Sequence, residues 1–210
     1  MIDLIINLTQ TIPLKYRKEQ MVRITKVTTK KGDFGKTQIA GKKNVSKSCS
    51  RIAALGSIDE LNTILGLIPH LLKTQPFKSL RNQILRIQNE LFNLGAMISV
   101  LKKDRRKDTP QITQLDIERL EAELNSANSQ LKPLNSFVIP GGNEINARLH
   151  VARTVCRRAE LELATLYKSS TSKKLELIYL NRLSDWLFVQ ARLVSLLQKQ
   201  DEILWQPSNK

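Results

Sequence analysis

From Arg51 onward the chain carries apolar residues at helical spacing over long stretches, and that periodicity restricts it to packed helices. Ile52, Leu55, Ile58, Leu61, Leu65 and Ile68 recur three or four positions apart and end near Pro69. Leu80, Ile84, Ile87, Leu91, Leu94 and Ile98 repeat the pattern over roughly 77–101. A third helix is expected from about Pro110, a residue suited to a first helical turn, to Ala127. A fourth runs from Asn143, a suitable N-cap, to Tyr167, and a fifth from about Lys174 to Gln200. Eight Gly and seven Pro in 210 residues leave these stretches little interrupted. Five amphipathic helices with short connections predict an all-α fold, a five-helix bundle with ferritin-like up-down packing. One core suffices for this length. The expected organisation is an extension at 1–21 that is poorly ordered, an irregular basic arm at 22–50, the bundle at 51–200 and a tail at 201–210.

The formal net charge is +15, and it is concentrated at one end. Residues 1–50 hold eleven Lys or Arg against Asp3, Glu19 and Asp33. An anionic partner is therefore expected near the arm, and a nucleic acid, an acidic membrane surface or a polyphosphate would each satisfy the charge. Cys49 and Cys156 are too few for a secreted disulfide framework and suggest reduced thiols in a cytoplasmic protein. His70 and His150 supply no zinc-type spacing, and no apolar run reaches the length of a membrane span. The start, MIDLIINLTQ, lacks the basic region and cleavage site of a secretory signal; it reads as an upstream extension, with organelle targeting left open.

Three segments concentrate polar chemistry. In TTKKGDFGKT, Thr28 to Thr37, Gly32 and Gly35 let backbone N–H groups converge on an anion. Lys30, Lys31 and Lys36 add charge there, and Thr29 and Thr37 add hydroxyls. The GxxxxGK[ST] spacing of a Walker A loop is absent, and a solvated basic turn is the plain alternative. In RIAALGSIDELN, Asp59 and Asn62 share one side of the first helix, where an acid near the helix start is also ordinary. In ARLHVARTVCRRAELEL, Leu149, Ala152, Cys156, Ala159 and Leu163 form an apolar seam, with Arg153, Arg157 and Glu160 on the neighbouring stripe. Two stacked arginines call for a compensating anion; Asp59 is a candidate for one and a phosphate for the other. On the last helix Asn181, Ser184, Asp185 and Phe188 share a face, which fits either a structural polar network or a ligand.

Taken together these segments resemble the PduO-type family of ATP:cob(I)alamin adenosyltransferases. The family pattern is a TxTGDxGxT loop, a VxK, a GxxDELN helix start, an FxxPGG loop, an RxxxRRAER helix and a YLNRLSDxLF helix. The counterparts here, in the same order, are Thr29–Thr37, Val45–Lys47, Gly56–Asn62, Phe137–Gly142, Arg153–Glu160 and Tyr179–Phe188. The resemblance implies a homotrimer with active sites between subunits, which transfers the 5′-deoxyadenosyl group of ATP to the cobalt of cob(I)alamin and releases triphosphate. It implies that Thr29, Lys30, Lys31, Gly32, Thr37, Gln38 and Lys47 wrap ATP, with Arg157, Arg158, Glu160 and Asn181 completing the pocket from the adjacent subunit. Arg157, Asp59 and Arg153 form the implied catalytic set, with Asp59 paired to Arg153 across the interface. Phe137 is implied to lie below the corrin and crowd out its lower axial ligand, with Asn62, Ser184, Asp185 and Phe188 as further cobalamin-binding residues. No protein-held metal site is implied beyond Mg2+ on the phosphates, and a reductase and an adenosylcobalamin-dependent enzyme are implied partners.

The residues suit that chemistry on their own terms. Reduced cobalt is the nucleophile and triphosphate the leaving group, so the protein must align C5′ with cobalt and neutralise growing charge. It needs no Ser, Cys or His nucleophile. Lys31, Asn44, Ala53-Ala54-Leu55 and Leu161 depart from the usual Thr, Arg, Glu-Ala-Tyr and Arg, yet none of the implied catalytic residues is lost. The competing reading is a non-catalytic helical module that docks nucleic acid or an anionic surface through its arm. Its binding would collapse steeply with salt, but stacking aromatics near the arm are scarce. A family member that stores or delivers the cofactor is a third reading, and the resemblance favours no nucleic acid.

Overall fold

The computed structural model describes residues 30, 32–40, 43–168, 170 and 174–207; the expected extension at 1–21, and Thr29 and Lys31 of the basic loop, lie outside the described residues. The five expected helices are α1 (Ser50–Gly66), α2 (Lys78–Ser99), α3 (Gln114–Asn128), α4 (Glu144–Tyr167) and α5 (Leu175–Leu197). The described part of the arm is more regular than expected. Its short strands β1 (Lys36–Gln38) and β2 (Asn44–Ser46) pair antiparallel, with Thr37 opposite Val45.

Helix α4 packs on both α1 and α5, α3 packs on α5, and α2 on α1. Their facing stripes are the periodic residues of the sequence. Leu61, Leu65, Ile84, Ile87, Leu94, Leu149, Cys156, Leu163, Leu183 and Leu187 are all fully buried. Each such Leu or Ile contributes about 1.5–3 kcal/mol by leaving water. Burial pushes the Cys156 thiol well up, and its Sγ donates to the Leu180 carbonyl at 3.3 Å, so it serves packing.

Two departures concern helix ends and connections. Helix α3 begins at Gln114 rather than Pro110. The Asp116 carboxylate accepts the Thr113 N–H at 2.9 Å and its hydroxyl at 2.7 Å, closing the first turn there. The connections at 67–77, 100–113 and 129–143 are longer than the short links expected, and the first two contain 3-10 turns at Gln75–Phe77 and Lys102–Asp104. The charged run is solvated as expected, with Lys103, Asp104, Arg106, Lys107 and Asp108 exposed. Asn143 does cap α4, its side chain accepting the Asn146 N–H at 2.8 Å.

A buried polar knot joins three helices and sets the register of α5. Glu90 accepts from Tyr179 Oη at 2.7 Å, Arg86 at 2.7 Å and Arg119 at 3.1 Å, and Arg86 also reaches Glu123 at 2.7 Å. Removing one partner would strand a buried charge, which is far costlier than losing an exposed pair. Burial, then the Glu90 carboxylate, raises the Tyr179 phenol well above its usual range, so it remains a donor. Tyr179 thus anchors the helix that carries Asn181, Ser184, Asp185 and Phe188.

Candidate active site

The arm hairpin gathers the described members of the expected ATP set. Lys30 and Gly32 precede β1, Thr37 and Gln38 lie on it, and Lys47 follows β2. The Lys47 N–H donates to the Gly35 carbonyl at 2.9 Å, drawing the two ends together. A Cβ at Gly32 would stand 3.1 Å from Lys47 Nζ, so the absent side chain lets the ammonium lie against the loop backbone. Lys30 holds a left-handed backbone, φ 59°, at the loop entrance.

The stacked arginines occupy a different place. Arg153 and Arg157 from α4, Arg182, Ser184, Asp185, Phe188 and Val189 from α5, and Leu124 and Asn128 from α3 line one hollow of about 420 Å³. Arg182 is compensated by Glu121 at 2.9 Å and Asp185 at 3.0 Å. Arg153 and Arg157 have no ion pair among the described residues. Burial, followed by repulsion from Arg157, lowers the Arg153 pKa. The hollow therefore presents two unneutralised guanidinium groups, beside the apolar Phe188 and Val189. Ser184 is buried, and its hydroxyl donates to the Asn181 carbonyl at 2.8 Å.

Glu160 and Asn181 meet outside that hollow, Asn181 Nδ2 donating to Glu160 Oε1 at 3.1 Å. Arg158 is exposed and turns to an ion pair with Glu60 on α1. Adjacent positions on a helix point about 100° apart, so Arg157 and Arg158 cannot serve one partner in the same way.

Asp59 and Asn62 line neither of these. They belong to a groove of about 490 Å³ between α1 and α2, with Ile52, Leu55, Leu91, Phe92 and Gly95. Asp59 has no ion-pair partner among the described residues, and Phe92 is exposed. Asn62 is buried; its Nδ2 donates to the Gln88 carbonyl at 3.3 Å, while its Oδ1 has no partner among the described residues. No lining residue is common to the two hollows.

The Phe137 loop is held by α4 and α5. Gly141 and Gly142 adopt φ of 143° and 99°, conformations that favour glycine. Asn146 accepts the Gly141 N–H at 3.2 Å and donates to the Ala191 carbonyl at 2.9 Å, so the turn is tied to the core. Phe137 itself is 77% exposed.

Two residues near the site escaped sequence reasoning. The C-terminal segment pairs with the Phe137 loop: the Ile139 N–H donates to the Ile203 carbonyl at 2.8 Å, and the Trp205 N–H to the Phe137 carbonyl at 2.7 Å. The Trp205 ring meets Phe137 edge to face at 6.1 Å. The apolar cluster Ile203-Leu204-Trp205 in a polar terminus was the available signal. His150, treated only as a poor zinc ligand, is buried beside Arg153, three residues away on the same helix. Burial lowers its pKa to about 4, helped by the Arg153 charge. Among the described residues no group of three or more His, Cys, Asp or Glu could hold a metal ion, and no helix is long and apolar enough to cross a membrane.

Comparison with known proteins covers almost all of this architecture. The family model described as cobalamin adenosyltransferase matches residues 27–194. A cobalamin adenosyltransferase of Cupriavidus metallidurans is 39% identical over 186 residues, spanning 88% of this chain and 96% of that protein. A corrinoid adenosyltransferase of Bacillus subtilis is 38% identical over 171 residues, 81% of this chain and 86% of that protein. Among solved structures, a variant PduO-type ATP:corrinoid adenosyltransferase from Lactobacillus reuteri, complexed with cobalamin and ATP, superposes with a TM-score of 0.80 at 32% identity, over 87% of this chain and 100% of that one. Matched by that family model over residues 27–194 and by a relative 39% identical over nearly its whole length, the chain belongs to the cobalamin adenosyltransferase family.

Proposed function

We propose that this protein transfers the 5′-deoxyadenosyl group of ATP to the cobalt of cob(I)alamin, giving adenosylcobalamin and triphosphate. The observation that carries this reading is the pair of unneutralised guanidinium groups of Arg153 and Arg157 in one hollow, on a chain of this family. The cobalt(I) electron pair attacks C5′, the C5′–O bond breaks, and its electrons leave with triphosphate. Charge grows on the leaving group as the bond breaks, so fixed cations there stabilise the transition state more than the ground state.

In this reading the arm binds ATP through Thr29, Lys30, Lys31, Gly32, Thr37, Gln38 and Lys47, and Lys31 replaces a hydroxyl with a charge. Arg157, with the Glu160–Asn181 pair, completes the pocket, and Arg158 flanks it from its Glu60 pair. Magnesium, as a companion of ATP, would help neutralise the charge that grows on the departing triphosphate. Phe137 forms an apolar floor for the corrin, with Asn62, Ser184, Asp185 and Phe188 as further contacts.

The two hollows support a homotrimer with interfacial sites. Asp59 on α1 and Arg153 on α4 each have no ion-pair partner in their own chain among the described residues, and each is the other's chemical complement. A second copy can supply what the first lacks. A reductase that supplies cob(I)alamin and an enzyme that consumes adenosylcobalamin are the partners this reaction requires, and two free cysteines fit a cytoplasmic location.

The test is anaerobic incubation of the full chain with ATP, magnesium and cob(I)alamin, followed by absorption spectroscopy. Conversion of the cob(I)alamin spectrum to that of an alkylcobalamin, dependent on ATP, is the expected result. A well-folded protein that leaves the spectrum unchanged overturns the reading.

A further inference from the structure

We propose that His150 is a positioning residue, whose imidazole holds the Arg153 guanidinium and the Phe188 ring in the arrangement that lines the α3–α5 hollow. The inference rests on the reading of that hollow as part of the active site. His150 lies behind both side chains: Arg153 Nε donates to His150 Nδ1 at 3.4 Å, and the Phe188 ring meets the imidazole edge to face at 6.0 Å. The histidine is 3% exposed, so it reaches no substrate itself.

The protonation pattern distinguishes this role from simple packing. An Nδ1 that accepts a hydrogen bond carries a lone pair, so in the neutral ring the proton is on Nε2. That Nε2 is buried with no hydrogen-bond partner among the described residues. A buried, unpaired N–H is unfavourable, and Phe or Leu at the same place would fill the space without it. What imidazole adds over those side chains is the Nδ1 acceptor, and Arg153 is what it accepts from.

The consequence for Arg153 is directional. With Nε engaged by His150, the guanidinium is turned so that its two terminal nitrogens remain for a partner. A planar fork can then take a carboxylate in two parallel bonds, which a freely rotating side chain would do less often. The neutral ring also avoids adding a third positive charge beside Arg153 and Arg157, in keeping with its lowered pKa.

The test compares His150→Phe, which keeps a ring against Phe188 but loses the acceptor, with His150→Asn, whose side-chain oxygen can stand in for Nδ1. Each is placed in the wild-type chain and in Arg153→Ala, and adenosyl transfer is measured against both ATP and cob(I)alamin. His150→Phe is expected to lower kcat/KM about tenfold with Tm retained, His150→Asn to recover most of it, and neither to lower it further once Arg153 is Ala. Losses that multiply in the double variant, or a His150→Phe protein with wild-type kinetics, overturn the proposal. An NMR readout is independent of turnover: the Arg153 Nε–H should be protected from exchange in wild type and His150→Asn and unprotected in His150→Phe. Equal protection in all three overturns the role of His150, whereas a wild type without transfer activity overturns the functional reading instead.

Discussion

Two hollows of the bundle, the α1–α2 groove and the α3–α5 hollow, are of similar size and opposite character. The α1–α2 groove pairs one carboxylate, Asp59, with an apolar surface of Ile52, Leu55 and Phe92. The α3–α5 hollow holds three arginines, of which Arg182 alone has an ion pair among the described residues. Neither is a complete site. A cationic hollow alone would bind anions without discrimination, and a lone carboxylate beside exposed apolar residues would bind little. The difference teaches that each face presents a group whose complement the same chain does not supply among the described residues, which is what the proposed assembly of copies would provide.

The largest effect that could break this comparison is expected at Arg157. Arg157→Ala should lower kcat/KM by about two to three orders of magnitude, with thermal stability retained, because the lost interaction strengthens as triphosphate departs. An equal loss of stability and rate would make Arg157 structural. Mixing offers a sharper test. If Asp59 acts with Arg157 and Arg153 of a neighbour, Asp59→Ala and Arg157→Ala chains, each nearly inactive, should regain activity when refolded together. Random assembly would restore roughly a quarter of the sites, since each interface needs one intact face from each type. Sites contained within one chain would regain none.

How far the sequence carried this picture depends on the range of the interactions. The helices were legible because their periodic residues, such as Leu149, Ala152, Cys156, Ala159 and Leu163, form one buried seam set by local geometry. The grouping of Arg153 with Arg157 was legible for the same reason, being one helical turn apart. The separation of Asp59 from Asn181 and Phe188 into different surroundings was not, because it depends on which helices are neighbours. The start of α3 was misplaced because Pro110 satisfies a general preference, whereas the Thr113–Asp116 interaction closes the turn. The docking of Trp205 on Phe137 joins residues too distant in sequence for any periodic signal.

A moderate effect is expected from acid. The folded-state pKa of His150 is depressed to about 4 from an ordinary 6.5. The unfolded chain therefore takes up a proton first as pH falls, and stability is lost between about pH 6.5 and pH 4, then changes no further on this account. The loss accumulated across that range is on the order of 3 kcal/mol. Urea unfolding from pH 7 to pH 4 should show this slope in the wild type, and His150→Phe should flatten it. An unchanged slope would place the acid sensitivity on other groups.

The smallest effect is expected at the Arg158–Glu60 pair, and it separates the two adjacent arginines. Both partners are about half exposed, so the pair is screened, and Glu60→Gln should change stability by less than about 1 kcal/mol. Its kinetic consequence differs from that of Arg157 in kind. Releasing Arg158 from Glu60 leaves the α3–α5 hollow untouched, because neither residue lines it. Glu60→Gln should therefore leave kcat unchanged and shift the KM for ATP about twofold at most, through the freed Arg158 charge. A loss of kcat approaching that of Arg157→Ala would show that the α1–α4 ion pair governs the orientation of the whole arginine stripe, and the two faces of the bundle would then be coupled within a single chain.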